Sequence, residues 1–150
     1  MSDHLNVSQL RQTAHETQKW LNDLAAREPF ENTEQAYSML RAVLHAVRDR
    51  LTVEEAAHFA AQLPMLVRGF YFEGWRPTLA PNDFDTQAEF LARVNSSLGG
   101  TLTGSGHDLR AETTTTLAFL RDRLDDGQMR HVLKQLPEQI RDLVPTSAST

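Results

Sequence analysis

The chain has 150 residues, 40% of them hydrophobic and 23% charged, with a formal net charge of −5 and no cysteine. That length and balance suit a globular chain able to bury a core. The missing thiols exclude disulfides, thiolate metal sites and a cysteine nucleophile, and the negative charge argues against nucleic acid as a partner. No run approaches the roughly 18 apolar residues of a membrane span. The start, Met1-Ser2-Asp3-His4-Leu5-Asn6, has no basic stretch leading into an apolar one, so a cytoplasmic location is expected.

In chain order, nearly everything reads as helix. Leu10, Ala14, Thr17, Leu21 and Leu24 follow a three-four spacing, which predicts an amphipathic helix over about 7–27, ended near Pro29. A second helix is predicted over about 34–51, with Ala36, Leu40, Val43, Leu44, Val47 and Leu51 on one stripe. Thr52 and Glu55 then form a Thr-x-x-Glu capping box, so a short turn should fold the third helix back antiparallel. Pro64 falls inside that third helix. It removes one backbone hydrogen bond and crowds the preceding turn, so a kink is expected there, or a restart with proline in the first turn.

The second half of the chain repeats this plan. A fixed spacing of 73 residues relates 44–71 to 117–144, with ten of 28 positions identical, where unrelated segments of average composition would share about two. Arg48-Asp49-Arg50-Leu51 returns as Arg121-Asp122-Arg123-Leu124, His58 as His131, Gln62-Leu63-Pro64 as Gln135-Leu136-Pro137 and Arg68 as Arg141. Asp125 and Gln128 take the place of the Thr52 and Glu55 cap. Upstream, Trp20-Leu21-Asn22-Asp23-Leu24 resembles Phe90-Leu91-Ala92-Arg93-Val94 at a spacing of 70. The expected architecture is a single all-α domain of six helices in two pseudo-twofold-related repeats, about 7–75 and 84–145. Each repeat is a helix plus an antiparallel hairpin, with a proline-kinked third helix. Residues 72–83 form the crossover between repeats, 99–106 a glycine-rich linker, and 146–150 a disordered tail. The run Thr113-Thr114-Thr115-Thr116 puts β-branched residues into a helix, so the second hairpin should depend on the first for stability.

The string Leu44-x6-Leu51-Thr52-Val53-Glu54-Glu55-Ala56-Ala57-x3-Ala61-Gln62-Leu63-Pro64, followed by Arg68-Gly69-Phe70-Tyr71 and Gly74-Trp75, resembles the bacterial domain-of-unknown-function 2267 family. The likeness covers most of the chain, with the ending Gln135-Leu136-Pro137 similar to the family's second copy of the unit. The resemblance implies an all-helical cytoplasmic protein with no established reaction, and it carries over no catalytic residues.

The residues themselves offer few sites. His45 and His58 stand six residues either side of the turn and could share a level on the hairpin, yet no His-Glu-x-x-His is present and Ala118 replaces His45 in the repeat. Neither a metal nor any other cofactor is therefore expected, and His58 with its copy His131 suggests a structural hydrogen bond near each turn. The charged turns, Arg48-Asp49-Arg50 against Glu54-Glu55 and Arg121-Asp122-Arg123 against Asp125-Asp126, suit both helix dipoles and cross-turn pairing. The best functional candidate is the segment holding Phe70, Tyr71, Phe72 and Trp75, flanked by Arg68 and Arg76, because the second copy lacks its aromatics. Those rings either seal the seam between the halves or face a partner. The leading expectation is a non-catalytic interaction or scaffold module, self-associating or binding a protein partner through that segment. One alternative is a small-ligand or lipid sensor with a pocket between the halves near Trp75 and Arg68, and another is an enzyme of unreadable class.

Overall fold

The computed structural model describes residues 6–98, 108–124 and 126–145. Among them there are eight α-helices and no strand: α1 (Ser8–Ala25), α2 (Thr33–Arg50), α3 (Val53–Ala60), α4 (Met65–Tyr71), α5 (Gln87–Ser97), α6 (Leu109–Arg123), α7 (Asp126–Gln135) and α8 (Glu138–Arg141). The glycine-rich linker, the tail and Asp125, with the second cap it was to supply, lie outside the described residues.

The expected six helices become eight because each third helix is broken rather than kinked. Pro64 sits at φ −56°, ψ 153° as the cap of α4, and Pro137 at φ −57°, ψ 152° as the cap of α8. A proline disfavours helical geometry in the residue before it, and Leu63 and Leu136 leave the helix accordingly, their side chains buried. The carbonyls freed at the end of α3 are recovered by Arg68, which donates to Ala60 O (3.1 Å) and Leu63 O (3.0 Å). The cap at Thr52 forms only by half. Its hydroxyl accepts from Glu55 N–H (3.2 Å), while the Glu55 carboxylate turns to His131. The complete capping box is at Thr86 and Glu89, where α5 begins.

The hub is α2. Eleven of its 18 residues are buried, and it packs against α1, α4, α5 and α6. A helix apolar on nearly every side belongs in a core, and one continuous apolar cluster runs from Trp20 of α1 to Leu143 beyond α8. Trp20 meets Phe119 of α6 edge to face at 5.6 Å. The threonine run is accommodated in α6 because Thr114 and Thr116 donate back to Ala111 O and Glu112 O, one turn earlier.

The charged turn of α2 does not pair across the hairpin. It anchors distant segments instead. Arg48, 4% exposed, donates from Nη1 to the carbonyls of Tyr71 and Glu73, both at 2.8 Å, and from Nε to Asp49 (2.9 Å). Asp49 also accepts from Arg93 of α5 (3.1 Å), and Arg50 donates to Phe84 O and Asp85 just before α5. His45, one turn earlier, donates Nε2–H to Phe70 O (2.7 Å). Seven residues are too few for an isolated helix, so α4 is held from outside. Thr13 of α1 accepts from Leu66 N–H at its start (3.0 Å), and His45 and Arg48 satisfy the exposed carbonyls at its end. Beyond them the backbone reverses at Gly74, whose φ of +71° lies in the left-handed region that glycine enters freely. In the second half, Arg121 likewise reaches Pro145 O beyond α8, and Arg123 pairs with Asp23 of α1.

Two outcomes follow from this clamp. Arg48→Met keeps the volume but removes the donor to the buried Tyr71 carbonyl and the part-buried Glu73 carbonyl, and should lower unfolding free energy by about 3 kcal/mol in denaturant titrations. Burial holds the His45 imidazole below its ordinary value of 6.5, more strongly than its bond to Phe70 raises it. The unfolded chain therefore takes up a proton there before the native one does. Stability should be full above about pH 6.5 and fall as pH drops toward the lower native value, with a shallower fall in His45→Gln.

Candidate functional site

The fold buries only part of the sequence stripe of α1. Thr17 and Leu24 of that stripe are turned inward together with Thr13 and Trp20, whereas Leu10 is 45% exposed and Ala14 and Leu21 are half-buried. The rotation is explained by Trp20, whose ring removes more apolar area from water than Leu21 can and lies under the Arg123 guanidinium, 5.6 Å from the ring centre. The displaced stripe is left facing α4 and becomes the wall of a cleft.

That cleft lies between α1, α2 and α4 and holds about 570 Å³. Ala14, Leu21 and Gln18 line it from α1, Tyr37 from α2, and Leu66, Gly69 and Phe70 from α4. Phe70 and Tyr37 meet edge to face at 5.2 Å. Thr17 also lines the cleft, only 6% exposed, and its hydroxyl has no hydrogen-bond partner among the described residues. A buried hydroxyl left unpaired costs about 1–3 kcal/mol, so this oxygen is a standing demand for a polar group. At the rim, Arg41 donates to Glu73 (2.8 Å), and this bond holds the Glu73 carboxyl below its ordinary range. Beyond the pair a smaller cleft of about 340 Å³ shares Tyr37 and Glu73. At Gly69 a methyl group would meet no atom within 4 Å, so the absence of a side chain there keeps the cleft open.

The candidate segment is divided by the structure rather than presented as one surface. Phe70 reaches the cleft. Tyr71 is fully buried and donates its hydroxyl to Ala56 O (2.8 Å), and burial raises its phenol further above the usual range. Phe72 and Trp75 pack half-buried on the core with ring centres 5.2 Å apart, and the indole N–H of Trp75 is buried without a partner among the described residues. Arg68 is the cap of α3 described above, and Arg76 is exposed. His45 and His58 do not meet, since His45 is buried against Phe70 O and His58 is exposed on α3. The larger cleft lies among the first four helices, while the smaller one also takes Ser97 and Leu98 at the end of α5. Thr17, Tyr37, Leu66, Gly69 and Glu73 were not singled out by sequence as site residues. The one available signal was an α1 stripe wider than a single core face needs.

The chain belongs to the family described as an uncharacterized conserved protein (DUF2267), which matches residues 17–143. No curated protein matches it.

The two buried threonines of α1 should behave oppositely. Thr13→Val removes the acceptor for Leu66 N–H and should cost about 1–2 kcal/mol. Thr17→Val removes an unpaired hydroxyl at nearly equal volume and should be neutral or stabilising by up to about 1 kcal/mol. Chemical denaturation of both variants in parallel checks the contrast.

Proposed function

We propose that this family member is a non-catalytic binding module whose working surface is the cleft between α1, α2 and α4. Its ligand would be small and largely apolar, with a polar group placed to meet Thr17. The observation that carries this reading is the Thr17 hydroxyl, without a partner among the described residues, lining a largely apolar recess. The volume falls within the roughly 300–1,000 Å³ of small-molecule sites, which combine apolar walls with a few polar groups. The recess needs no closure to form, because α4 is fixed at both ends.

Self-association is the second reading, and it moves from the aromatic segment to the mouth of the cleft. Leu66 lines the cleft and is 48% exposed, and Leu10 of α1 and Met65 of α4 (52%) are exposed apolar side chains on the same two helices. The two halves would then be duplicated units over about 7–75 and 84–145. Support for that division comes from the 73-residue spacing, the matching geometry at Pro64 and Pro137 and the shared task of Arg48 and Arg121.

A saturable one-to-one response to an apolar fluorophore such as anilinonaphthalene sulfonate, with a rise in melting temperature, is expected. Gly69→Phe fills the recess from a position with open space around it and should abolish the response while the helical content stays intact. Unaltered binding in that variant would place the ligand elsewhere. A mass that rises with concentration and drops to monomer on Leu66→Glu would favour self-association.

A further inference from the structure

A second site stands apart from the cleft, where α3 packs on α7. Glu55 and His58 lie one turn apart on α3, and His131 faces them from α7. One carboxylate and two imidazoles thus have their ligating atoms all within 4.8 Å of one another. The imidazole Nε2 of His131 is 2.7 Å from one Glu55 oxygen and 3.0 Å from the other, and the His58 and His131 ring centres are 6.4 Å apart. The Glu55 side chain is 15% exposed and that of His131 51%, so a shielded carboxylate sits beneath imidazoles open to solvent.

We propose that Glu55, His58 and His131 bind a divalent transition metal of the zinc class. Two imidazoles and one carboxylate are a ligand set that zinc accepts, with water completing the shell. Without a thiol, the set excludes the sites preferred by soft monovalent copper. Zinc bonds of about 2.0–2.1 Å require ligand atoms about 3.4 Å apart, so the cluster must contract slightly. The two exposed rings allow it. His58 has no hydrogen-bond or ion-pair partner among the described residues, so its ring turns without breaking anything.

A Glu55–His131 hydrogen bond alone would explain that pair. It would not explain a second histidine, the 73-residue copy of the first, brought beside it. Bound metal would join α3 to α7, linking helices from the two halves of the chain, and so stabilise the native state. Each ligating imidazole must offer the metal an unprotonated nitrogen, so protons compete with uptake.

The test uses the full-length chain without a histidine tag. Zinc is titrated by calorimetry and cobalt by its visible absorption, into the wild type, His58→Ala, His131→Ala and the double variant. Both histidines are exposed, so these variants should keep the wild-type circular dichroism. One equivalent of metal is expected, with affinity reduced at least about tenfold in each single variant and lost in the double variant. Melting temperature should rise most with zinc in the wild type, less in the single variants and not at all in the double variant. Equal binding by the double variant, or no binding by the wild type at about 100 µM zinc, would overturn the proposal.

Discussion

The buried guanidinium of Arg48 is the contact on which the arrangement depends. Its Nη1 satisfies the carbonyls of Tyr71 and Glu73 just where α4 ends, while Asp49 balances its charge from the neighbouring position. A buried arginine is tolerated only when its charge and its donors are both matched, and here the donors go to backbone groups that a short helix leaves orphaned. With Thr13 at the other end, a seven-residue helix broken off by Pro64 becomes a fixed wall. The repeated Arg-Asp-Arg motif is accounted for in the same terms, since Arg121 and Arg123 also reach distant segments.

The cleft is a consequence of two local choices. Turning Trp20 of α1 into the core leaves Ala14 and Leu21 facing α4, and Gly69 of α4 leaves the space between them unfilled. The glycine does not make the core more compact. Alanine at 69, with its better helix propensity of about 1 kcal/mol, would do more for stability alone. Retention of an apolar recess with an unpaired Thr17 hydroxyl fits a surface kept for binding.

Much of the fold was legible because helix periodicity is local. The helices predicted over about 7–27 and 34–51 are observed at Ser8–Ala25 and Thr33–Arg50. The proline positions were read correctly as interruptions, but a kink and a break differ only in whether outside groups recover the freed carbonyls. Arg68 does so from eight and five residues away. The rotation of α1 was not legible, because Trp20 and Leu21 both fit a core stripe and only its distant partner Phe119 decides between them. The aromatic segment drew attention by composition, yet successive helical positions point in different directions, which sends Phe70 and Tyr71 to different surroundings. The Glu55, His58 and His131 cluster was hidden for a related reason. Its signal was the 73-residue spacing that relates His131 to His58, and residues related by such a spacing meet only where the helices that carry them pack together.

The central claim, that α4 owes its order to clamps at both ends, is tested most directly by native-state hydrogen exchange. Amides bonded within α4 and just beyond it, such as Arg68 to Pro64 O and Phe72 to Arg68 O, should exchange only through the same global opening as those of α2. In that case their opening free energies coincide and fall together with denaturant. Exchange of the α4 amides through a separate local opening, several kcal/mol easier than that of α2, would contradict the account.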